Sequence, residues 1–244
     1  MLYPGHAAED DYPLLAKLLG PDVALPLVHT TEQDVPHTVE ALLAVGQPEE
    51  LAAGWRQLTA HHQPQSVVWA CTSGSFVFGW DGAAEQARTL TETAGAPASS
   101  TSIAFARACH AVGARRVAVA ATYPEDVASK FVEFLGDGGL DVVNFGSEGI
   151  FLAGDVGTLD EAAVLALAVG GDHADADAVL LPDTALHSVA WLDALEARVG
   201  KPVLTANQVT AWEGLRLAGD TTPRTGLGTL FENRSAGGAA PATN

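Results

Sequence analysis

The chain is short of cations, of cysteine and of long apolar runs, and each shortage removes a class of function. Only 12 Lys and Arg stand against 30 Asp and Glu in 244 residues, a formal net charge of −18 at pH 7. A surface so negative repels phosphate backbones, and no basic stripe offsets it, which argues against nucleic acid or an anionic membrane surface as a partner. No apolar run reaches the roughly 18 residues that a membrane-spanning helix needs. The opening MLYPGHAAEDDYP has neither a cationic nor an apolar segment, so no secretion signal is read there. The two cysteines, Cys71 and Cys109, make neither a disulfide framework nor a CxxC metal site, and the expected compartment is a reducing cytoplasm. His61-His62 and His173 lie in polar stretches without HxxxH or HExxH spacing, which reads as solvated surface and not as metal ligands.

What the chain does have is core: 48% of its residues are hydrophobic and 17% charged, a globular composition. Short strand-type runs occur at 66–70, 116–121, 140–146, 177–181 and 202–205. Helix-period stretches fall at 83–94, 100–112, 125–136, 158–169, 188–199 and 208–218. The alternation predicts βαβ units, an α/β fold and parallel sheets. Gly95, Gly113, Gly136, Gly170 and Gly200 fall at the ends of five helical stretches, where a left-handed cap favours glycine.

The chain also repeats itself. Leu2-Tyr3-Pro4 before an acidic helix start parallels Thr122-Tyr123-Pro124 before Glu125-Asp126, and SVVWACTSGS parallels DAVLLPDTALHS. Two such halves facing each other leave a crevice between the carboxyl ends of their strands, where open parallel sheets bind ligands. The expected division is residues 1–113 plus a returning helix at 208–221, then 114–207. A low-complexity tail, 222–244, is expected to be disordered.

Chemistry concentrates at the strand ends. Cys71 opens Cys71-Thr72-Ser73-Gly74-Ser75, whose hydroxyls and backbone N–H groups form a carboxylate or oxyanion cradle; a thiol there is expected to have a depressed pKa and to act as nucleophile or acid/base. The plainer reading is an inert buried thiol, and that is the reading for Cys109 on the apolar face of IAFARACHAV. Asp183-Thr184 after the second-half strand could be a proton carrier or an ordinary turn and capping pair. A capping Asp183 would point away from a ligand and need no pKa shift; the alternative is a protonated acid. Tyr123 after its strand either donates to a carboxylate or packs with its hydroxyl paired. Tyr3 and Asn207 stand at strand ends in the same manner. Between Lys130 and Arg198 there are 13 acidic residues and no Lys or Arg, so an anion held there must rely on backbone N–H groups and hydroxyls.

The series LYPGHAAEDDYP, VVWACTSGSF, GARRVAVAATYPEDV, AVLLPDTALHS and KPVLTANQVTAWEGLRLAG resembles the maleate cis-trans isomerase and arylmalonate decarboxylase branch of the aspartate/glutamate racemase superfamily, from residue 1 to about Gly219. The resemblance implies two pseudo-symmetric Rossmann-like (flavodoxin-like) halves with the active site between them, and chemistry without cofactor or metal. Members of the branch typically place one cysteine on each side of the substrate. Cys71 matches the first, the nucleophile of maleate isomerases and a glycine in arylmalonate decarboxylases; Asp183 stands where the second would be. Thr72, Ser73 and Tyr123 match residues that hold a substrate carboxylate, with Thr184 adding a backbone donor and Tyr3 and Asn207 completing the substrate-binding set. The expectation is an isomerase of a small dicarboxylate acting through Cys71 thiolate addition. A decarboxylase, a racemase and a non-catalytic carboxylate binder are its rivals. The expected partner is a small carboxylate, with a homodimer or larger homo-oligomer left open.

Overall fold

The computed structural model describes residues 1–232. The first half runs β1 (Leu2–Pro4), α1 (Asp11–Leu19), β2 (Val28–Thr31), α2 (Val39–Val45), α3 (Pro48–Thr59), β3 (Val67–Trp69), α4 (Ser73–Phe76), α5 (Gly79–Ala94), β4 (Ala98–Ser100) and α6 (Thr101–Ala111). The second runs β5 (Arg116–Ala121), α7 (Glu125–Asp137), β6 (Asp141–Ser147), α8 (Ala153–Val156), α9 (Glu161–Gly171), β7 (Ala178–Leu181), α10 (Leu192–Val199), β8 (Val203–Thr205) and α11 (Ala206–Leu217). A short α12 (Thr229–Glu232) follows.

Each half is a four-stranded parallel sheet, ordered β2-β1-β3-β4 in one and β6-β5-β7-β8 in the other. The strand orders are the same when β5 is matched to β1, so the repeat read in the sequence is a repeat of topology, and the α/β expectation holds. β5 (RVAVAA) is buried along all but its first residue, as a strand covered on both faces must be. Helix starts are fixed by side chains: Thr38, Ser100 and Asp160 accept from the amides of Ala41, Ile103 and Ala163, and Thr205 with Gln208 forms a reciprocal capping box on α11. Gly95 and Gly200 are left-handed C-caps. Gly136 and Gly170 correct the expectation: both lie inside helices, because α7 and α9 continue to Asp137 and Gly171.

The largest core cluster joins both halves, with Val68, Phe105, Val119, Phe131, Leu204 and Val209 among its members; each such side chain stabilises the fold by about 1.5–3 kcal/mol. α11 packs on α6, where Thr101 and Thr210 hydroxyls meet at 2.6 Å. Residues 222–232 overturn the expectation of disorder from Thr222. Leu227, Leu230 and Phe231 are buried, Gln208 Nε2 donates to the Leu227 carbonyl at 2.7 Å, and Thr229 is held by the Glu196 carboxylate. Three apolar side chains supply the burial that holds this segment; 233–244 lie outside the described residues. Among the described residues no helix is long and apolar enough to cross a membrane.

Candidate active site

Because the strands of each sheet are parallel, their carboxyl ends share one edge. β3 ends at Trp69 and the chain runs Ala70-Cys71-Thr72 into α4. Trp69 Nε1 and Gln86 Nε2 pin this turn by donating to the Gly74 carbonyl at 3.4 and 3.0 Å, and Ser102 Oγ donates to the Thr72 carbonyl at 2.6 Å. Cys71 Sγ accepts from the Gly74 N–H at 3.2 Å and lies 3.9 Å from Ser73 Oγ. A Cβ on residue 74 would come 3.0 Å from the sulfur, so this close approach of amide to thiol depends on glycine. Thr72 occupies the N-cap of α4, but its hydroxyl caps nothing: among the described residues Oγ1 is buried and without a partner. An unpaired buried hydroxyl costs about 1–3 kcal/mol, which a bound carboxylate oxygen would offset.

The thiol does not behave as its loop suggests. Burial pushes the Cys71 pKa up to about 12; the Gly74 N–H and Ser73 hydroxyl pull it down and the Asp183 charge pushes it up. The expectation of a depressed pKa is therefore corrected: desolvation outweighs the local donors that the sequence displays.

Across from this loop, Asp183 follows β7. Its Oδ1 accepts from the Ala185 N–H at 2.9 Å, and its Oδ2 accepts from the Thr122 hydroxyl. The turn-capping role is present, and the side chain is buried, 4% exposed, instead of standing in solvent. His37 Nε2 lies 3.8 Å from Asp183 Oδ2. The His37 ring stands edge-on to Tyr123 with centroids 4.9 Å apart. Tyr123 donates its hydroxyl to the Pro182 carbonyl at 2.9 Å. Burial, with the Asp183 and Cys71 charges, raises its pKa well above the ordinary value, against the Thr72 and Ser73 hydroxyls nearby.

His37 was invisible in the sequence reading because a Pro-His-Thr tripeptide looks like surface loop.

Tyr3, Thr184 and Asn207 meet, but on one another. Tyr3 donates to the Thr184 carbonyl at 3.0 Å and accepts from the Ala8 N–H at 3.1 Å. Asn207 Nδ2 donates to the same carbonyl at 3.2 Å and to Asp11 Oδ2 at 3.0 Å, while its Oδ1 accepts from Tyr12 at 3.2 Å. Asp11, raised in pKa chiefly by burial, also accepts from the Ser188 and Val189 amides. Tyr3, Tyr12 and Tyr123, the chain's three tyrosines, are all buried here with pKa values raised first by desolvation, so each is a neutral hydroxyl at pH 7. Tyr12 and Asp11 escaped the sequence reading; nothing separates them from an ordinary helix start.

Cys109 is buried in the main core cluster, apart from the strand ends. His61, His62 and His173 are exposed. A metal-capable grouping lies instead at the loop after β1, where ligand atoms of His6, Glu9 and His29 fall within 4.8 Å of one another; His6 there is bracketed at 3.0 Å by Glu9 and Glu32. A cavity of about 350 Å³ lined by Met1, Leu25, Gln63, Val68 and Gly214 opens at the amino ends of the first sheet, the edge away from Cys71.

The profile of the arylmalonate decarboxylase family matches residues 48–231. The arylmalonate decarboxylase of Bordetella bronchiseptica is 32% identical over 176 residues, 70% of this chain and 73% of that protein. A liganded double mutant of arylmalonate decarboxylase, with a glycine changed to cysteine and a cysteine to serine, superposes with a TM-score of 0.79 at 27% identity over 95% of this chain and 98% of the other. A Nocardia farcinica maleate cis-trans isomerase mutant carrying a covalently bound succinylcysteine intermediate shares the fold, with a TM-score of 0.84 at 20% identity over 95% and 96%. The chain belongs to the arylmalonate decarboxylase family of enzymes, within the branch of the aspartate/glutamate racemase superfamily that its motifs resemble.

Proposed function

We propose that the protein isomerises a small cis-dicarboxylate such as maleate without a cofactor, with Cys71 as nucleophile. The observation that carries this reading is the unpaired buried hydroxyl of Thr72 next to the thiol, a donor with no role until an oxygen anion is placed against it. Cys71 Sγ bonds to one alkene carbon as its thiol proton passes to the Asp183 carboxylate, which returns it when the sulfur leaves. The π electrons move into the carboxylate facing Thr72 and Ser73, whose hydroxyls stabilise the enediolate-like charge, while Tyr123 stays beside them with its own hydroxyl given to the Pro182 carbonyl. The former double bond rotates as a single bond, and loss of the Cys71 thiolate restores it in the trans geometry. A succinylcysteine adduct, the kind of species bound in the Nocardia farcinica fold relative, is what protonation of that enediolate would leave on Cys71.

A second reading, decarboxylation of a substituted malonate, is favoured by the family match and the 32% identical relative. There the same donors would hold the enediolate left by carbon dioxide, and Cys71, protonated at neutral pH, would deliver its proton. Proton NMR of maleate incubated with folded protein separates the two. Fumarate supports the isomerase, whereas no fumarate, with carbon dioxide released from a panel of arylmalonates, replaces it by the decarboxylase.

A further inference from the structure

Asp183 of the second half has a neighbour that lies outside the strand-end motifs. His37 reaches it from the first half, on a segment fastened to the second. Pro36 pairs with Leu152 across the crevice, the His37 N–H donates to the Phe151 carbonyl at 2.7 Å, the Ala153 N–H to the Val35 carbonyl at 3.2 Å, and the Gly154 N–H to Asp34 Oδ1 at 2.9 Å.

This anchoring sets the imidazole's tautomer. His37 Nδ1 lies 2.9 Å from the Ile150 carbonyl oxygen, which can only accept, so Nδ1 carries a proton. In the neutral ring Nε2 is then a lone pair, and it faces a carboxylate oxygen of Asp183 at 3.8 Å. Both residues are nearly sealed from water, at 3% and 4% exposure. At 3.8 Å the two atoms are too far apart for a hydrogen bond, but two acceptors facing each other in such a place repel, whereas a proton on Nε2 turns the contact into an ion pair. The other titratable groups around the pair are neutral hydroxyls or thiols at pH 7: Tyr123 edge-on to the ring, and Cys71 and Tyr3, both of which feel the Asp183 charge. None of them supplies a competing cation.

We propose that His37 and Asp183 share one proton and together form the acid-base group of the second half, facing Cys71, at the position where the resemblance expects a second cysteine. The proposal rests on the reading that carboxylate chemistry takes place beside Cys71, but not on which reaction it is. For addition to an alkene the step balances as follows. The Cys71 sulfur bonds to one carbon and the π pair enters the carboxylate; the enediolate so formed takes the shared proton at the other carbon, and the thiol's proton refills the pair; elimination reverses each transfer. Thr122, donating to Asp183 Oδ2, and the Ala185 N–H, donating to Oδ1, are positioning groups that hold the carboxylate toward His37.

The test is a titration of the His37 ring by nitrogen-detected NMR on the whole chain, in wild type and in Asp183→Asn, which keeps an acceptor for the Ala185 amide but cannot ionise. A shared proton predicts that the pH midpoint of the His37 signals falls by at least about one unit in the variant, the usual effect of losing an opposite charge within about 4–6 Å. An unmoved midpoint overturns the proposal whatever the protein turns over. If Asp183→Asn does not fold, Thr122→Val serves instead: losing a donor to the ionised carboxylate moves the midpoint up, and an unchanged midpoint again overturns the pair. In any substrate assay that shows turnover, His37→Asn retains a donor for the Ile150 carbonyl but no atom facing Asp183; it should cost about 10² in rate and abolish one limb of the pH profile. A coupled titration without maleate turnover keeps the pair and discards the isomerase.

Discussion

The Tyr3 hydroxyl of the first half donates to the Thr184 carbonyl of the second at 3.0 Å, and accepts from the Ala8 amide in its own half at 3.1 Å. A residue resembling a substrate ligand in sequence thus has both of its hydrogen-bonding functions spent on joining the halves. Tyr3→Phe should lower stability by about 1–3 kcal/mol, since it strands the Ala8 amide and leaves Asn207 alone on the Thr184 carbonyl. The check is urea denaturation, with a lower midpoint at unchanged slope. An unchanged midpoint would mean that the hydroxyl is free for a ligand.

Thr72 should respond with the opposite sign. Thr72→Val removes a buried hydroxyl that has no hydrogen-bond partner among the described residues, so stability should hold or rise, while kcat/KM falls about tenfold to a hundredfold. Equal loss of stability and activity would make the hydroxyl an ordinary structural group.

Gly74→Ala should separate the thiol from its amide. The new Cβ would sit 3.0 Å from Cys71 Sγ and 3.2 Å from the Trp69 ring, so the sulfur must move. Turnover should drop at least about tenfold, for a stability cost of about 1–3 kcal/mol from overpacking. Parallel denaturation and kinetics decide it, and full activity would show that the N–H to sulfur contact is dispensable.

The two cysteines should be slow to alkylate at pH 7, because burial raises both pKa values, Cys71 to about 12. Cys71 should still label before Cys109, which is wholly buried in the core. The sign for stability follows. The unfolded thiols ionise first, so between the ordinary thiol pKa and the raised folded one the native state binds more protons. The stability present at lower pH is therefore lost as pH rises, by at most about 1.4 kcal/mol per pH unit per thiol. Peptide mass spectrometry after limiting iodoacetamide gives the order, and denaturation at two alkaline pH values gives the slope. Preferential labelling of Cys109 would contradict the site.

What the sequence displayed depended on burial. Central strands such as β5 and β7 are continuous apolar runs and were legible. β2 (VHTT) and β4 (ASS) are edge strands of three or four residues, largely polar, and carry no such pattern. α2 and α3 were missed because each buries a thin set, Leu42 in one and Leu51, Gly54 and Leu58 in the other. Cys71, Thr72, Ser73, Tyr123 and Asp183 were legible through a motif at each strand end. His37 was not, since its place beside Asp183 arises from backbone pairing across the halves, at a separation of 146 positions in the chain, for which local spacing holds no sign. The raised Cys71 pKa was hidden for the same reason: the donors are local in sequence and the desolvation is not.

Peptide mapping of the protein quenched during turnover of maleate tests the central claim most directly. The account predicts a succinyl adduct on the peptide containing Cys71, none on that containing Cys109, and loss of both adduct and fumarate in Cys71→Ala with the fold retained. Fumarate formed at an undiminished rate by Cys71→Ala would contradict it.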